Sequence, residues 1–362
     1  MAGLSMVEVD NIGILDDPEA YSRDWYQRAF NITRRYIDSF NRYVELGLDL
    51  GRRYIMFKPS SIVYLGIGGS AIAGDVASSI IEEIKIHVHR DYTPIKISSD
   101  KLIIAVSYSG DSAEVFPTLL QNIDSNPNII VVTSGGRLKK LAEKKNLPIV
   151  LLEPGIPPRY SFPHTFGAIL GILESLDIKV ENLHDSIGDV RRFHEKLDYN
   201  IPTRDNLAKN TATRIYGRTP IIYAYGRTLP IAYRFKCQLN ENSKIFAHLS
   251  ELPEALHNDI EALDEDSILI APRISHYDNH VEGVYRALSR YLGDRYIELK
   301  LDGGVLIEEV LSMLLLVDYI SLYLAVLRDV DPMVLLAIPK LKQENKAYEE
   351  ILRSVDEKLD AW

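Results

Sequence analysis

Cysteine is nearly absent from this sequence, which limits both its covalent chemistry and its location. The only cysteine among the 362 residues is Cys237, so no intrachain disulfide can form. Such a chain suits a reducing compartment, and we expect it to be cytoplasmic. The N-terminal residues also lack a basic segment followed by an apolar run, which argues against a signal peptide.

The chain also has no excess of positive charge. The 41 Lys and Arg residues are outnumbered by 51 Asp and Glu residues, and the formal net charge is −10. Proteins that bind nucleic acid generally carry a basic face, so we expect no nucleic acid partner. A bound anion would have to be held by a local site rather than by the general charge of the chain.

Long apolar runs are absent except for one. Residues 310–327 are almost wholly apolar, with Asp318 as the one charged residue, and they approach the length of a membrane-spanning helix. An acid in mid-span is costly in lipid, and the flanking charges are acidic (Glu308, Glu309 and Asp329) rather than basic. We therefore predict a helix buried in a protein core and no membrane partner.

Several catalytic signatures are also missing. The sequence contains neither a Walker A segment nor a G-x-S-x-G segment. His87 and His89 could approach a metal ion, but the sequence around them does not complete a zinc ligand set. We expect both histidines to be structural.

The most informative stretch is residues 62–75, in which a short apolar run leads into a glycine cluster and then into a small-residue helical pattern. This order predicts a buried parallel strand, a loop, and a helix whose N-terminus could bind an anion. The glycines could instead serve only a tight turn. Gly66, Gly68 and Ala71 also match the relaxed dinucleotide fingerprint, with Asp91 near the position of its ribose-binding acid.

The alternation of strand and helix continues along the chain and then repeats. The predicted strands of a first parallel sheet are the apolar runs at 62–65, 84–88, 102–106, 129–132 and 148–152. A similar pattern restarts at 220–225, so the sequence predicts two similar α/β domains. We expect an N-terminal helical segment at 1–55, a first domain at 56–200, and a second domain with C-terminal helices at 201–362.

Three serines, Ser107, Ser109 and Ser112, follow the predicted strand at 102–106, just before a predicted helix. Ligands of open parallel sheets bind beyond the carboxyl ends of the strands. Hydroxyl groups together with the N–H groups of a helix N-terminus would form a compact site for a phosphate monoester. One serine would suffice to cap the helix, so three favour a ligand site over a cap.

Several short segments together resemble a known family. The segments 68–70 (Gly-Gly-Ser), 107–112 (Ser-Tyr-Ser-Gly-Asp-Ser) and 133–136 (Thr-Ser-Gly-Gly) are similar to the sugar isomerase (SIS) domain. Residues 240–244 (Asn-Glu-Asn-Ser-Lys) and 252–258 (Leu-Pro-Glu-Ala-Leu-His-Asn) narrow the resemblance to the archaeal bifunctional phosphoglucose/phosphomannose isomerases.

This resemblance implies a fold and a mode of assembly. Each half of the chain would be an SIS domain of the α/β class, with a doubly wound, mainly parallel five-stranded sheet between helices. The family also implies hexose 6-phosphate substrates, no cofactor or metal, and a homodimer with active sites at the interface.

The resemblance further implies roles for individual residues. Aldose–ketose isomerisation moves a proton between C1 and C2 through an enediol, and it needs a base, a ring-opening group, and a cation near the developing oxyanion. Glu241 matches the base, Arg159 matches the cation, and His257 matches the ring-opening residue, which reaches the site from the partner subunit. The residues that match phosphate and sugar contacts are Gly69, Ser70, Ser107, Ser109, Ser112 and Lys342.

One position departs from the family. Alignment without gaps from Asp331 to Lys342 puts Leu335 where the bifunctional enzymes carry a threonine, whose hydroxyl is thought to hold a water beside the C1–C2 bond. Leucine offers no hydrogen bond and would displace such a water. We therefore expect glucose 6-phosphate to be a better substrate than mannose 6-phosphate.

The sequence thus predicts an isomerase that interconverts glucose 6-phosphate, mannose 6-phosphate and fructose 6-phosphate. Two alternatives stay open. A non-catalytic SIS sensor would need the serine loop but would have no use for Glu241, Arg159 and His257 together. A dinucleotide-dependent oxidoreductase would need the Gly66 loop but not the serine loop, and it would bind a nicotinamide.

Overall fold

The computed structural model describes residues 13–275, 279–301 and 304–362. The helices in chain order are α1 Asp24–Arg34, α2 Tyr36–Tyr54, α3 Gly69–Ile80, α4 Phe116–Asn122, α5 Gly136–Lys144, α6 Phe162–Ser175, α7 Leu183–Glu195, α8 Leu207–Ile215, α9 Leu229–Glu241, α10 Asn279–Leu292, α11 Leu306–Leu327, α12 Ala337–Glu344 and α13 Lys346–Ala361. The strands are β1 Ile62–Leu65, β2 Ile86–His89, β3 Leu102–Ser107, β4 Ile129–Thr133, β5 Ile149–Leu151, β6 Thr219–Ala224, β7 His248–Glu251, β8 Ser267–Arg273 and β9 Tyr296–Lys300.

The chain forms two compact units, and each is built from two segments of sequence. The first-sheet unit comprises Tyr36–Val180 and Leu335–Trp362, and it contains β1 to β5. The second-sheet unit comprises Met1–Arg35, which is described from residue 13, and Glu181–Val334, and it contains β6 to β9.

The first sheet is parallel throughout, in the order β2-β1-β3-β4-β5. Strands β1, β3 and β4 are buried along their whole length, which explains why their sequences are continuous apolar runs instead of alternating ones. Because the strands are parallel, the carboxyl ends of β1, β3 and β4 lie at one edge of the sheet. The glycine and serine loops begin at that edge.

Helices α2 and α6 pack against each other with their backbones in close approach. A Cβ atom added at Gly47 would stand 2.2 Å from the carbonyl oxygen of Ala168, and one added at Gly171 would stand 2.0 Å from that of Val44. Only glycine leaves room for backbones this close. This packing makes α2 part of the first-sheet unit, whereas the sequence predicted a separate N-terminal helical segment at 1–55.

The C-terminal helices also belong to the first-sheet unit. Val355 and Leu359 of α13 lie in the hydrophobic core of the first sheet. Arg137 at the start of α5 forms a bidentate ion pair with Asp356 of α13, with two N–O distances of 2.8 Å. The sequence predicted these helices as the end of a domain at 201–362, because they follow that domain along the chain. The observed division falls after Val334 instead.

The second sheet is also parallel, in the order β7-β6-β8-β9. Its four described strands are one fewer than the resemblance implied. Strand β7 was not predicted from the sequence, because it is a polar edge strand in which Leu249 is the one apolar residue. The predicted class, α/β with two mainly parallel sheets flanked by helices, is confirmed.

Helix α11 is the apolar helix that could have been read as a membrane span. Its mean hydropathy is 2.2, and it is completely buried over the window that gives this value. The carboxylate of Asp318 accepts hydrogen bonds from Arg234 at 2.6 Å and from Gln238 at 2.9 Å, both on α9. The prediction of a buried core helix is therefore confirmed.

Candidate functional site

The serine loop, residues 107–112, is held in shape by its own hydrogen bonds. The fully buried Ser107 hydroxyl donates to the Ser112 hydroxyl at 2.9 Å and accepts from the N–H groups of Gly110 and Ser112. The exposed Ser109 hydroxyl accepts from the N–H of Asp111 at 3.3 Å. All three serines that the sequence predicted as substrate contacts therefore also stabilise the loop.

A second loop, residues 133–136 after β4, packs directly on the serine loop. Gly110 and Gly136 have φ angles of 75° and 67°. A Cβ atom at Gly110 would stand 1.8 Å from the carbonyl oxygen of Gly135. The Ser134 hydroxyl donates a hydrogen bond of 2.6 Å to the carbonyl oxygen of Tyr108. Glycine at these positions lets the two loops form one continuous polar rim.

The glycine loop after β1 adjoins the serine loop. Gly68 has a φ angle of 55°, and α3 begins at the next residue, Gly69. The buried Ser70 hydroxyl accepts from the N–H of Tyr108 at 3.2 Å. A Cβ atom at Gly69 would lie 3.7 Å from the Cα of Arg159. The first turn of α3, the serine loop and the Arg159 backbone are therefore neighbours.

Arg159 is almost completely buried, with 3% of its surface exposed. The loop before it is fixed by Tyr108, whose hydroxyl donates to the carbonyl oxygen of Glu153 at 2.8 Å and accepts from the N–H of Ile156 at 3.1 Å. Burial raises the pKa of Tyr108, so its phenol stays protonated and can make both bonds. A buried arginine whose backbone adjoins the N-terminus of α3 suits an anionic ligand.

The C-terminal segment reaches the serine loop from another side. The Tyr348 hydroxyl donates to the carbonyl oxygen of Asp111, and the Lys342 ammonium lies 5.1 Å from the centre of the Tyr348 ring. Arg137 donates to the carboxylate of Asp111 at 2.8 Å. The hydrogen bond to Asp356 and, to a smaller extent, the hydrogen bond to Asp111 raise the pKa of Arg137 above its usual value. The serine loop is thus tied to the C-terminal helices through Tyr348 and through the ion pairs of Arg137 with Asp111 and Asp356.

Glu241 is the last residue of α9 and is half-buried. The residues after it are clamped against α11. Asn242 donates to the Ser321 hydroxyl at 2.9 Å, and the Ser243 hydroxyl donates to the Ser321 carbonyl oxygen at 2.7 Å. Arg328 donates to the carbonyl oxygen of Ser243 at 2.8 Å. The position of Glu241 is therefore set by packing between two helices rather than by a loop.

His257 ends a short 3₁₀ helix and is exposed. The chain just after it is tied to β7, because the Asp259 carboxylate accepts from the Ser250 hydroxyl and lies 2.9 Å from Nε2 of His248. The hydrogen bond from Ser250 and, to a smaller extent, the hydrogen bond from His248 lower the pKa of Asp259, so this carboxylate stays charged at neutral pH. The imidazole of His257 thus stands in solvent on an anchored segment.

The structure divides the nine predicted site residues between its two units. Glu241 and His257 lie in the second-sheet unit. The other residues lie in the first-sheet unit and are connected by the contacts described above: Gly69, Ser70, Ser107, Ser109, Ser112, Arg159 and Lys342.

Comparison with known proteins decides the family. Residues 204–344 match the model of the bacterial phospho-glucose isomerase C-terminal SIS domain. The bifunctional phosphoglucose/phosphomannose isomerase of Thermoplasma volcanium is 31% identical over 297 residues, which cover 79% of this chain and 92% of that protein. This chain belongs to the bifunctional phosphoglucose/phosphomannose isomerase family.

Two other similarities accompany that membership. The D-glucosamine-6-phosphate 4-epimerase of Sulfolobus acidocaldarius is 38% identical over 204 residues, which cover 55% of this chain and 63% of that protein. Among solved structures, a hypothetical protein from Thermus thermophilus has a TM-score of 0.68 at 19% identity, covering 90% of this chain and 95% of that one. The structural likeness concerns the fold alone.

For this member of the phosphoglucose/phosphomannose isomerase family, sequence reasoning missed two residues at the serine loop, Arg137 and Tyr348. Arg137 carries a usable signal, because it directly follows the glycine pair of the second loop at the start of a helix. Tyr348 carries none, because its contact with Asp111 joins residues 237 positions apart.

Two of the residues considered for other chemistries, His89 and Asp91, make local contacts with Thr93. Among the residues that the structure describes, no group of three or more His, Cys, Asp and Glu side chains could hold a metal ion. The Nε2 of His89 lies 3.1 Å from the carbonyl oxygen of Thr93. Asp91, the candidate ribose-binding acid, is exposed and accepts from the N–H of Thr93 at 2.8 Å in a turn.

Proposed function

We propose that this protein is an aldose–ketose isomerase that interconverts glucose 6-phosphate and, less efficiently, mannose 6-phosphate with fructose 6-phosphate. Membership of the bifunctional phosphoglucose/phosphomannose isomerase family carries the proposal. The polar rim of serine hydroxyls at the carboxyl ends of β1, β3 and β4 supports it, because such a rim can hold a phosphate group.

In the proposed mechanism the phosphate of the sugar binds at the serine loop and the first turn of α3. His257 of the partner subunit opens the sugar ring by moving a proton between ring and hydroxyl oxygens. Glu241 then takes a proton from C2 and returns it to C1 through a cis-enediol. Arg159 stabilises the negative charge that develops on the enediol oxygens.

A coupled assay on glucose 6-phosphate, mannose 6-phosphate and fructose 6-phosphate, with and without EDTA, tests this proposal. We expect turnover of all three sugars, with no loss in EDTA and no need for a nicotinamide. Tight sugar-phosphate binding without turnover would favour the sensor instead. Activity that is lost in EDTA and restored by a divalent ion would contradict metal-independent catalysis.

We also propose a cytoplasmic homodimer with its active sites at the subunit interface. Mixing inactive Glu241→Gln and His257→Ala chains tests the shared site directly. If the base and the ring-opening residue come from different subunits, each mixed dimer holds one intact site, and subunit exchange should restore about a quarter of the wild-type activity. No recovery in chains that demonstrably exchange would show that each subunit supplies both residues to its own site.

A second candidate reaction is epimerisation at C4 of glucosamine 6-phosphate. The 38% identity to D-glucosamine-6-phosphate 4-epimerase over 204 residues favours it. Incubation with glucosamine 6-phosphate, followed by NMR of the sugar ring, distinguishes the two reactions. Inversion at C4 without C1–C2 isomerisation of glucose 6-phosphate would replace the primary proposal.

A further inference from the structure

A cavity at the other edge of the first sheet is lined by cationic side chains. It has a volume of about 200 Å³, and Lys85, Lys96, Lys101 and His87 are among its lining residues. Lys85 directly precedes β2, and Lys101 directly precedes β3. The cavity therefore lies at the amino ends of the strands, whereas the serine loop lies at their carboxyl ends.

The three lysines carry charge that the protein itself does not neutralise by direct contact. Within the described parts of the chain, none of their ammonium groups makes an ion pair within 4 Å. The nearest acid in sequence, Asp100, accepts a hydrogen bond from the Ser60 hydroxyl, and the charge of the adjacent Lys101 contributes to lowering its pKa. In a chain whose formal net charge is −10, three lysines at one cavity form a local concentration of positive charge.

The wall that carries Lys96 is rigidly attached to the core. The N–H of Ile97 donates to the side-chain oxygen of Asn122 at 2.7 Å, and the amide of Asn122 donates to the carbonyl oxygen of Ile95 at 2.8 Å. Asn122 is fully buried at the end of α4. The cavity wall is thus held in place before any ligand arrives, which lowers the entropy that binding must overcome.

We propose that this cavity is a second anion site, which binds the phosphate group of a small phosphorylated molecule. Three ammonium groups match a group with two or more negative charges better than a single carboxylate, and each can donate several hydrogen bonds to phosphate oxygens. Buried Val63 and Ile97 also line the cavity and suit an uncharged part of the same ligand. The acidic chain as a whole disfavours nucleic acid as the occupant.

Titration calorimetry with pyrophosphate tests the site in the full-length protein. The triple variant Lys85→Gln, Lys96→Gln, Lys101→Gln should show one binding event fewer per chain than the wild type. Its KM for glucose 6-phosphate should not change, because the serine loop is intact. If the triple variant does not fold, the double variant of the exposed Lys85 and Lys96 serves the same purpose.

A matched control removes the same charge elsewhere. Lys144, Lys179 and Lys196 are exposed, and changing all three to glutamine should leave pyrophosphate binding as in the wild type. Two outcomes would overturn the proposal: unchanged pyrophosphate binding in the cavity variant, or an equal loss in the control variant. Acetate at matched ionic strength should not bind, and acetate binding that the cavity variant abolishes would contradict a phosphate site.

Discussion

Arg234 on α9 donates a hydrogen bond of 2.6 Å to Asp318 in the middle of α11, and both side chains are almost fully buried. This pair fixes α9 against α11 two turns before α9 ends at Glu241. Asn242 and Ser243 continue the same contact. The proposed catalytic base therefore depends for its position on an acid that the sequence places inside an apolar helix.

The first prediction concerns the stability of this pair. Asp318→Ala would leave the Arg234 guanidinium buried without its carboxylate, and loss of one partner from a buried pair typically costs about 3–5 kcal/mol. We expect the free energy of unfolding, measured in urea, to decrease by about that amount. As a control, Asp49→Asn removes one partner of the exposed Asp49–Arg53 pair and should cost less than about 1 kcal/mol. Equal losses in the two variants would contradict the role of burial.

The second prediction concerns the proposed base. Glu241→Gln keeps the shape of the side chain and removes its basicity, so kcat should fall by at least about 10²-fold while binding of fructose 6-phosphate is largely kept. Steady-state kinetics and calorimetry measure the two effects separately. Glu195, the exposed last residue of α7, offers a matched control, and Glu195→Gln should be fully active. A Glu241→Gln enzyme with more than about a tenth of wild-type activity would place the base elsewhere.

The fold was predictable where the apolar pattern is strong. Strand β1 was predicted with the bounds that the structure has, because a strand buried on both faces is a continuous apolar run. Strand β7 was missed because an exposed edge strand has no such pattern. The assignment of α2 and α13 to the first-sheet unit depends on tertiary packing at Gly47, Gly171 and Val355. Hydrophobic periodicity does not report which surface such a helix will meet.

The candidate site was predictable only in part, and for a related reason. The serines were found because they follow a strand directly, and Glu241 and His257 were found by resemblance. The contacts that position these residues were not predicted. Ser321 accepts a hydrogen bond from Ser243, two residues after Glu241, and Tyr348 donates a hydrogen bond to the serine loop. Both contacts join positions far apart in the chain, and their residue types carry no signal alone.

The third prediction separates binding from loop structure in the serine loop. Ser109→Ala should chiefly raise KM for phosphorylated sugars, because the exposed hydroxyl is free to reach a ligand and its bond to Asp111 is long, at 3.3 Å. Ser107→Ala should raise KM and also destabilise the fold. It removes the acceptor of the Ser112 N–H and the donor to the Ser112 hydroxyl, at about 1–3 kcal/mol for a buried group, whereas the N–H of Gly110 keeps the carbonyl oxygen of Ser107.

Kinetics together with thermal melting of both variants check this separation. Ser78, which is exposed on α3 and donates to the carbonyl oxygen of Ile86, offers a control, and Ser78→Ala should leave KM unchanged. Unchanged KM in both serine-loop variants would show that these hydroxyl groups only shape the loop.

The fourth prediction concerns pH and Asp198. Burial alone would raise the pKa of Asp198, but two hydrogen bonds from Arg34, of 2.6 and 2.8 Å, together with the hydrogen bond from the N–H of Asn200 and the charge of Arg34, outweigh it and lower the pKa. A carboxylate whose pKa is lowered by folding contributes stability that is present above its unfolded pKa and is lost as the pH falls through the folded value. Asp198→Asn should therefore reduce the free energy of unfolding near neutral pH and have a much smaller effect at about pH 3.

Urea unfolding at the two pH values measures this difference. The exposed Asp205, paired with Arg204 at 3.3 Å, provides a control, and Asp205→Asn should have little effect at either pH. An equal loss for Asp198→Asn at both pH values would show that Asp198 acts through its shape and not through its charge.

The fifth prediction concerns the choice between C2 epimers. Leu335 lies just before α12 at the start of the C-terminal segment, and it is half-buried where the resemblance puts a threonine. A threonine hydroxyl could hold a water that leucine excludes, and that water would give the C1–C2 bond room to rotate. Leu335→Thr should therefore raise kcat/KM for mannose 6-phosphate relative to glucose 6-phosphate.

The neighbouring residue supplies the control for this change. Leu336 is 82% exposed, so Leu336→Thr makes the same chemical substitution without altering an enclosed space, and it should leave the ratio of the two kcat/KM values as in the wild type. A larger shift from Leu336→Thr than from Leu335→Thr would mean that the alignment is displaced by one residue. If neither variant changes the ratio, or if the wild type already prefers mannose 6-phosphate, then the side chain at 335 does not set epimer choice, and the source of the preference lies among the sugar contacts themselves.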